Sequence, residues 1–167
     1  MNKNLLLVFV LSLLIFGCNT HKDKDTFDSA EKSFAAKNYP QALNEYRQII
    51  DEYSSSEYAE KSLLKVGSMY QMFLIPKISS EESNKKAVEY YQKLYKDFPT
   101  SADAPKAVFM SGFLLANDLK KYDEAKLVYT TFLQKFPNDQ LAPQVKIELE
   151  NIGKSPEEIL ESKIAKK

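Results

Sequence analysis

Cysteine and histidine occur once each, as Cys18 and His21, in a chain of 167 residues that has no tryptophan and only four glycines. One thiol excludes a disulfide framework, and one Cys with one His cannot build a metal cluster, so no metal is expected. Four glycines leave no Gly-rich loop for phosphates and argue against a turn-rich β fold. An excess of either charge is missing too: 23 basic residues balance 23 acidic ones, and every basic residue except Arg47 is lysine. Nothing in that mixture makes a field for a nucleic-acid backbone, and no nucleic-acid partner is expected. Acid–base chemistry would fall to carboxylates, but Glu81/Glu82 and Glu157/Glu158 are neighbours at expected helix starts. There they complement the helix dipole, and adjacent side chains diverge in direction. Neither an enzyme nor a cofactor is expected. What is present, 44% hydrophobic and 28% charged residues, suits one ordinary α-rich domain with a core.

The amino terminus is unlike the rest. Lys3 precedes an almost purely apolar run from Leu5 to Phe16, then Gly17 and Cys18. As a helix such a run reaches about 18 Å, short of the ~30 Å hydrocarbon core, so residues 1–17 read as an export signal. Ile15-Phe16-Gly17-Cys18 resembles the lipobox of bacterial lipoproteins, with Phe16 standing where a small residue is usual. That resemblance implies cleavage before Cys18, a thioether-linked diacylglycerol and an N-acyl chain on Cys18, and an exported, lipid-anchored protein. Asn19, being other than Asp, then implies the outer membrane, at its periplasmic face. Residues 18–25 read as a lipidated flexible tether, since Asn19 to Asp25 has nothing to bury. His21 is a solvated residue of that tether.

A repeat decides the fold. Ala42, Ala87 and Ala125 each have a tyrosine four residues on (Tyr46, Tyr91, Tyr129) and an aromatic eleven on (Tyr53, Phe98, Phe136). Each also has an alanine seventeen on (Ala59, Ala104, Ala142). Offsets of four and eleven return to one face of a helix. A small Ala lets the next helix approach, Tyr fills the space beside it, and Pro99 and Pro137 end the helix. Ser54 to Glu57 and Thr100 to Asp103 have the spacing of helix caps, so a second helix starts after each stop. Each repeat is a helical hairpin. Helices are expected near Thr26–Lys37, Pro40–Tyr53, Glu57–Phe73, Glu81–Phe98, Ala102–Asp118, Tyr122–Phe136 and Leu141–Ile152, with a last one from Ser155-Pro-Glu-Glu158 to Lys166.

This pattern resembles the tetratricopeptide repeat (TPR), whose second helix carries Ala, an aromatic four on and Pro twelve on; Ser54 replaces that Pro in the first copy. Gly67 and Gly112 fall where the family's first helix has its small residue. The copies are similar to the long-period bacterial repeats of the BamD-type outer-membrane assembly lipoprotein and of the Tol-Pal-associated periplasmic coordinator. The resemblance implies an all-α, TPR-like solenoid of about three repeats over residues 26–153, closed by a C-terminal capping helix over residues 154–167.

It also implies a partner site: such arrays bind along the concave surface lined by their first helices. Carried over through Ala30, Gly67 and Gly112, the groove positions are Phe27, Glu31 and Phe34; Leu64, Ser68 and Gln71; and Phe109, Phe113 and Asn117. Residues 107–116 (AVFMSGFLLA) are apolar nearly all round, which fits either burial on both sides or the border of an apolar groove. The groove would suit an amphipathic helix or extended hydrophobic segment of another envelope protein. It lacks the basic residues by which some family members hold acidic carboxyl termini. The expected role is a non-enzymatic, lipid-anchored adaptor in the bacterial envelope, with outer-membrane protein assembly, envelope coordination or division, and help to a secretion pore as alternatives. A small-ligand or glycan-binding lipoprotein is the competing class; the missing Trp removes its best stacking ring, though ten Tyr remain. The loop Leu74 to Ser80 carries apolar Leu74, Ile75 and Ile78, expected to fold back on the domain edge or to meet a partner.

Overall fold

The computed structural model describes residues 22–164, with nothing said of the Lys163 side chain. The signal segment, Cys18 and residues 19–21 lie outside the described residues. Eight α-helices and no strand occur among those described: α1 (Lys22–Ala35), α2 (Tyr39–Glu52), α3 (Glu57–Gln71), α4 (Ser80–Asp97), α5 (Ala104–Asn117), α6 (Tyr122–Lys135), α7 (Ala142–Asn151) and α8 (Pro156–Ile164). Each helix from α1 to α6 packs on its successor, and α1 also meets α3. The result is a row of three hairpins, α1/α2, α3/α4 and α5/α6, with α7 starting a fourth layer. The helices α1, α3 and α5 will be called A helices and α2, α4 and α6 B helices.

The repeated alanines and tyrosines hold the row together. Ala42, Ala87 and Ala125 on the B helices, and Ala59, Ala104 and Ala142 on the helices that follow, are all buried, as are Tyr46, Tyr91 and Tyr129. Each of the last two tyrosine rings lies on a glycine of the A helix in its hairpin. A Cβ added at Gly67 would stand 2.7 Å from Tyr91 Cε1, and one at Gly112 would stand 2.6 Å from Tyr129 Cε1. The aromatic ring occupies the volume that a side chain there would need.

The turns between hairpins recur as closely. Ser56, Ser101 and Asp139 each lie three residues before the buried alanine of the next helix. Their side-chain oxygens accept from the N–H two residues on: Tyr58 at 3.0 Å, Asp103 at 2.9 Å and Leu141 at 2.8 Å. Their own N–H groups donate to the carbonyls of Tyr53, Phe98 and Phe136 at 2.8, 3.1 and 3.1 Å. The two serines also reach back to the preceding A helix. Ser56 Oγ donates to Asp23 Oδ2 at 2.6 Å, and Ser101 Oγ donates to Glu60. The cap expected at Ser54 is therefore corrected to Ser56, whose oxygen meets a free N–H in the first turn of α3; the cap expected at Thr100 is corrected to Asp103, which precedes α5 without a side-chain cap bond while Ser101 ties the turn before it.

Three other expectations fare differently. Helix α1 begins at Lys22, so residues 22–25, expected in the tether, form its first turn. Asp23 and Asp25 complement the positive end of the helix, and Lys24 pairs with Asp28 at 2.6 Å. In the loop after α3, Leu74, Ile75 and Ile78 are half-buried against the core, while Met72 and Phe73 are the exposed residues, at 61% and 52%. At the carboxyl end the capping box forms: Glu158 N–H donates to Ser155 Oγ at 3.2 Å, and Ser155 N–H donates to Glu158 Oε2 at 2.6 Å. Yet α8 leaves Leu160 and Ile164 60% and 65% exposed, and α7 leaves Ile147 50% exposed. Ile159 of the last helix lines a depression with Ala116 of α5 and Ile152, so the helix meets the end of the row while Leu160 and Ile164 stay in solvent.

Candidate functional site

Of the nine residues expected to line the A-helix face, eight are half-buried and Asn117 is exposed. None is fully withdrawn into the core, but the three hairpins use them differently, and the difference is set by what surrounds each B-helix tyrosine hydroxyl.

In the first hairpin the face is an internal network. Tyr46 donates its hydroxyl to Glu31, and Lys65 from α3 donates to the same carboxylate at 2.9 Å. The Lys65 ammonium also stands 5.4 Å from the centroid of the Phe34 ring. Burial pushes the Glu31 carboxyl up, but the hydrogen bonds from Lys65 and Tyr46 outweigh it and leave the group below its ordinary range. Tyr46 is pushed up, by burial first and then by its bond to Glu31. Phe27 is half-buried between Tyr46 and Tyr58, with ring centroids at 5.8 and 5.3 Å.

In the second hairpin the network is neutral. Tyr91 donates to Gln71 Oε1 at 2.7 Å, and its hydroxyl shares a 3.3 Å contact with Ser68 Oγ. Leu64 completes this stretch, half-buried against the core.

In the third hairpin polar partners disappear. Residues 104, 107, 108, 111, 112, 114, 115 and 116 of α5 are buried, and Phe109, Met110 and Phe113 are half-buried. The apolar run thus serves both alternatives: most of it is core, and a strip of it faces out. Phe109 and Phe113 lie with centroids 6.2 Å apart, and Phe109 lies 6.4 Å from Tyr129. The Tyr129 hydroxyl is buried and has no hydrogen-bond partner. One residue of the expected set is out of register: the place of Phe34 and Gln71, four after the small residue, falls on buried Ala116 and not on Asn117, whose Nδ2 donates to the Phe113 carbonyl at 3.1 Å.

The opposite, B-helix face carries two depressions that the sequence reading did not single out. One, of about 310 Å³, lies between α2 and α4 and is lined by Arg47, Asp51, Lys86, Glu89 and the Tyr70/Tyr90 pair, whose rings stack at 5.7 Å. The next, of about 200 Å³, lies between α4 and α6 and is mainly apolar, with Tyr95, Val108, Val128 and 70%-exposed Leu127. The positions that line the first, at Ala42+5, Ala42+8, Ala87+2, Ala87+3 and Ala87+6, line the second one repeat later. Only an explicit alignment of the outward positions of the B helices would have shown this.

Among the described residues no three His, Cys, Asp or Glu side chains are grouped to hold a metal, and no helix is long and apolar enough to cross a membrane. Residues 61–101 and 106–139 match the tetratricopeptide repeat family. The first match covers most of α3 and all of α4, the second most of α5 and all of α6, each ending on a repeated turn residue. No curated protein matches the chain. The first hairpin lies outside the matched residues and has the same Ala–Tyr packing and the same turn. The chain is therefore an all-α solenoid carrying tetratricopeptide repeats, a type of module that is typically non-enzymatic and binds other proteins.

Proposed function

We propose that this repeat protein is a lipid-anchored scaffold of the bacterial envelope that holds an apolar segment or helix of another envelope protein against its A-helix face. The observation that carries the reading is the Phe109/Phe113 strip: two half-buried aromatics side by side on the least polar helix, with the buried Tyr129 ring behind Phe109. Aromatic anchors in a partly dry surface contribute most of the affinity at such sites. Charge steering contributes little here, because the net charge is zero. Outer-membrane protein assembly is the role we favour, on the likeness of the repeats to those of the BamD-type lipoprotein.

The anchor is Cys18, with two or three acyl chains in the outer membrane. One chain binds only marginally, and each buried CH₂ adds about 0.8 kcal/mol, so several chains make attachment effectively permanent. Because α1 starts at Lys22, the chain from Cys18 to the first helix reaches at most about 14 Å. The repeats would work close to the membrane surface. Cys18→Ala should move the protein from the membrane pellet to the soluble periplasmic fraction. A variant that stays in the pellet after a high-salt wash contradicts the lipid anchor.

A further inference from the structure

The depression between α2 and α4 on the B-helix face recurs one repeat later between α4 and α6, at equivalent positions and with a different lining. Gln92 stands there in the place of Arg47, Leu127 in that of Glu89, Val128 in that of Tyr90 and Thr131 in that of Lys93. Packing of one B helix beside the next therefore does not call for charges or a tyrosine at these positions. The first depression carries them beyond the needs of the fold.

Its charges are left open. Arg47, the one arginine of the chain, precedes Asp51 by four residues on α2, the order and spacing at which Lys24 pairs with Asp28 and Lys93 with Asp97. Among the described residues neither Arg47 nor Asp51 has an ion pair, and neither has Lys86 or Glu89 on α4. Lys93 also lines the depression, but Asp97 holds it at 2.7 Å. Two cations and two acids thus border a volume of about 310 Å³ without closing it, the size at which ligand pockets begin. The Tyr70 and Tyr90 rings, stacked at 5.7 Å, line the same volume, Tyr70 buried and Tyr90 half-buried. Arg47 acts on both hydroxyls through its charge, Glu89 does so with the opposite sign, and neither is hydrogen-bonded to them.

The signs of these groups select the ligand. An anion placed at Arg47 and Lys86 would meet Asp51 and Glu89, and a cation placed at the acids would meet Arg47 and Lys86. A neutral ligand rich in hydroxyl groups suits both, because each hydroxyl donates to a carboxylate and accepts from a guanidinium, an ammonium or a tyrosine. We propose that this depression is a carbohydrate site for a short neutral oligosaccharide, with Arg47, Asp51, Lys86 and Glu89 bonding its hydroxyls and Tyr90 giving apolar contact to a sugar ring. The site is separate from the A-helix face, so a glycan and a partner segment are held independently.

The test is a nuclear magnetic resonance titration of the full chain, kept in a detergent without a sugar head group, with maltotriose, cellotriose and triacetylchitotriose in turn. At least one trisaccharide is expected to bind saturably and to shift the signals of Tyr70 and Tyr90. Arg47→Ala and Glu89→Ala, both at exposed positions, are each expected to weaken that binding about tenfold, as for the loss of one hydrogen bond to a charged group. The melting temperature of both variants is expected to stay that of the wild type. Leu127→Ala, in the neighbouring depression, is expected to leave the binding unaltered. Inorganic phosphate and putrescine probe the charged alternatives. Either of them shifting the two tyrosines while no trisaccharide does would overturn the proposal, as would no shift from any of these probes. Trisaccharide binding that both variants retain at full strength would overturn it too.

Discussion

At Gly67 and Gly112 a single hydrogen stands where any other residue would meet a tyrosine ring. The Cβ of an alanine would come within 2.7 and 2.6 Å of ring carbons that are themselves locked in the core. Overpacking of that kind costs about 1–3 kcal/mol, while replacing a helical glycine by alanine returns about 0.8–1 kcal/mol. Gly67→Ala and Gly112→Ala should each lower stability by about 1 kcal/mol net, read as a fall of several degrees in a thermal melt. An increase would show that the tyrosines are free to move aside. Glu31 makes a second residue-scale prediction. Its carboxyl is held below its ordinary value of 4.5 by Lys65 and Tyr46, against the upward push of burial. A depressed carboxylate contributes stability in full above the unfolded value, and that contribution is lost as pH falls through the folded one. Wild type should therefore lose more stability than Glu31→Gln as pH drops below about 4.5, measured by urea unfolding at a series of pH values. Parallel loss in both would remove Glu31 from the account.

Among the elements, α8 is the one whose packing fell short of its sequence. Its capping box forms, but a helix start signal says nothing about where the helix will lie, and Leu160 and Ile164 remain in solvent. Ending the chain after Gly153 should cost little, within about 1 kcal/mol, because surface changes away from packed groups are small. A large drop in melting temperature on truncation would mean that α8 covers the row after all. The same contrast explains what was legible. The B helices were legible because Ala, Tyr and the terminal aromatic recur at fixed offsets and each has one packing duty. The cap of α3 was not, because Ser54, Ser55 and Ser56 offer the same hydroxyl and only the backbone path selects Ser56. The start of α1 was hidden because a charged run such as Lys22 to Asp25 reads equally as linker or as a solvated first turn; the contact of Asp23 with Ser56, thirty-three residues away, distinguishes them. On the candidate face, Phe109 and Phe113 could be placed by counting from Gly112. The buried Tyr129 hydroxyl without a hydrogen-bond partner could not, because it depends on what the neighbouring helices lack around that ring and not on any offset within α6.

Across the whole molecule, the row of hairpins presents two faces of different character. The A-helix face passes from a charged network at Glu31 and Lys65, through the neutral Ser68–Gln71–Tyr91 group, to the aromatic strip of the third hairpin. The B-helix face passes from a charged depression at Arg47 to an apolar one beside Leu127. Binding energy on either face concentrates where exposed apolar groups are fewest in alternatives and best supported from behind. On the A face the support is Tyr129 packed on Gly112. The central claim, that a partner is held on this face, is tested most directly by placing a photo-crosslinking residue in living cells at Phe113 and, separately, at Leu127. The account predicts one discrete adduct with an envelope protein from position 113 and none from position 127; an adduct from 127 with none from 113 would contradict it.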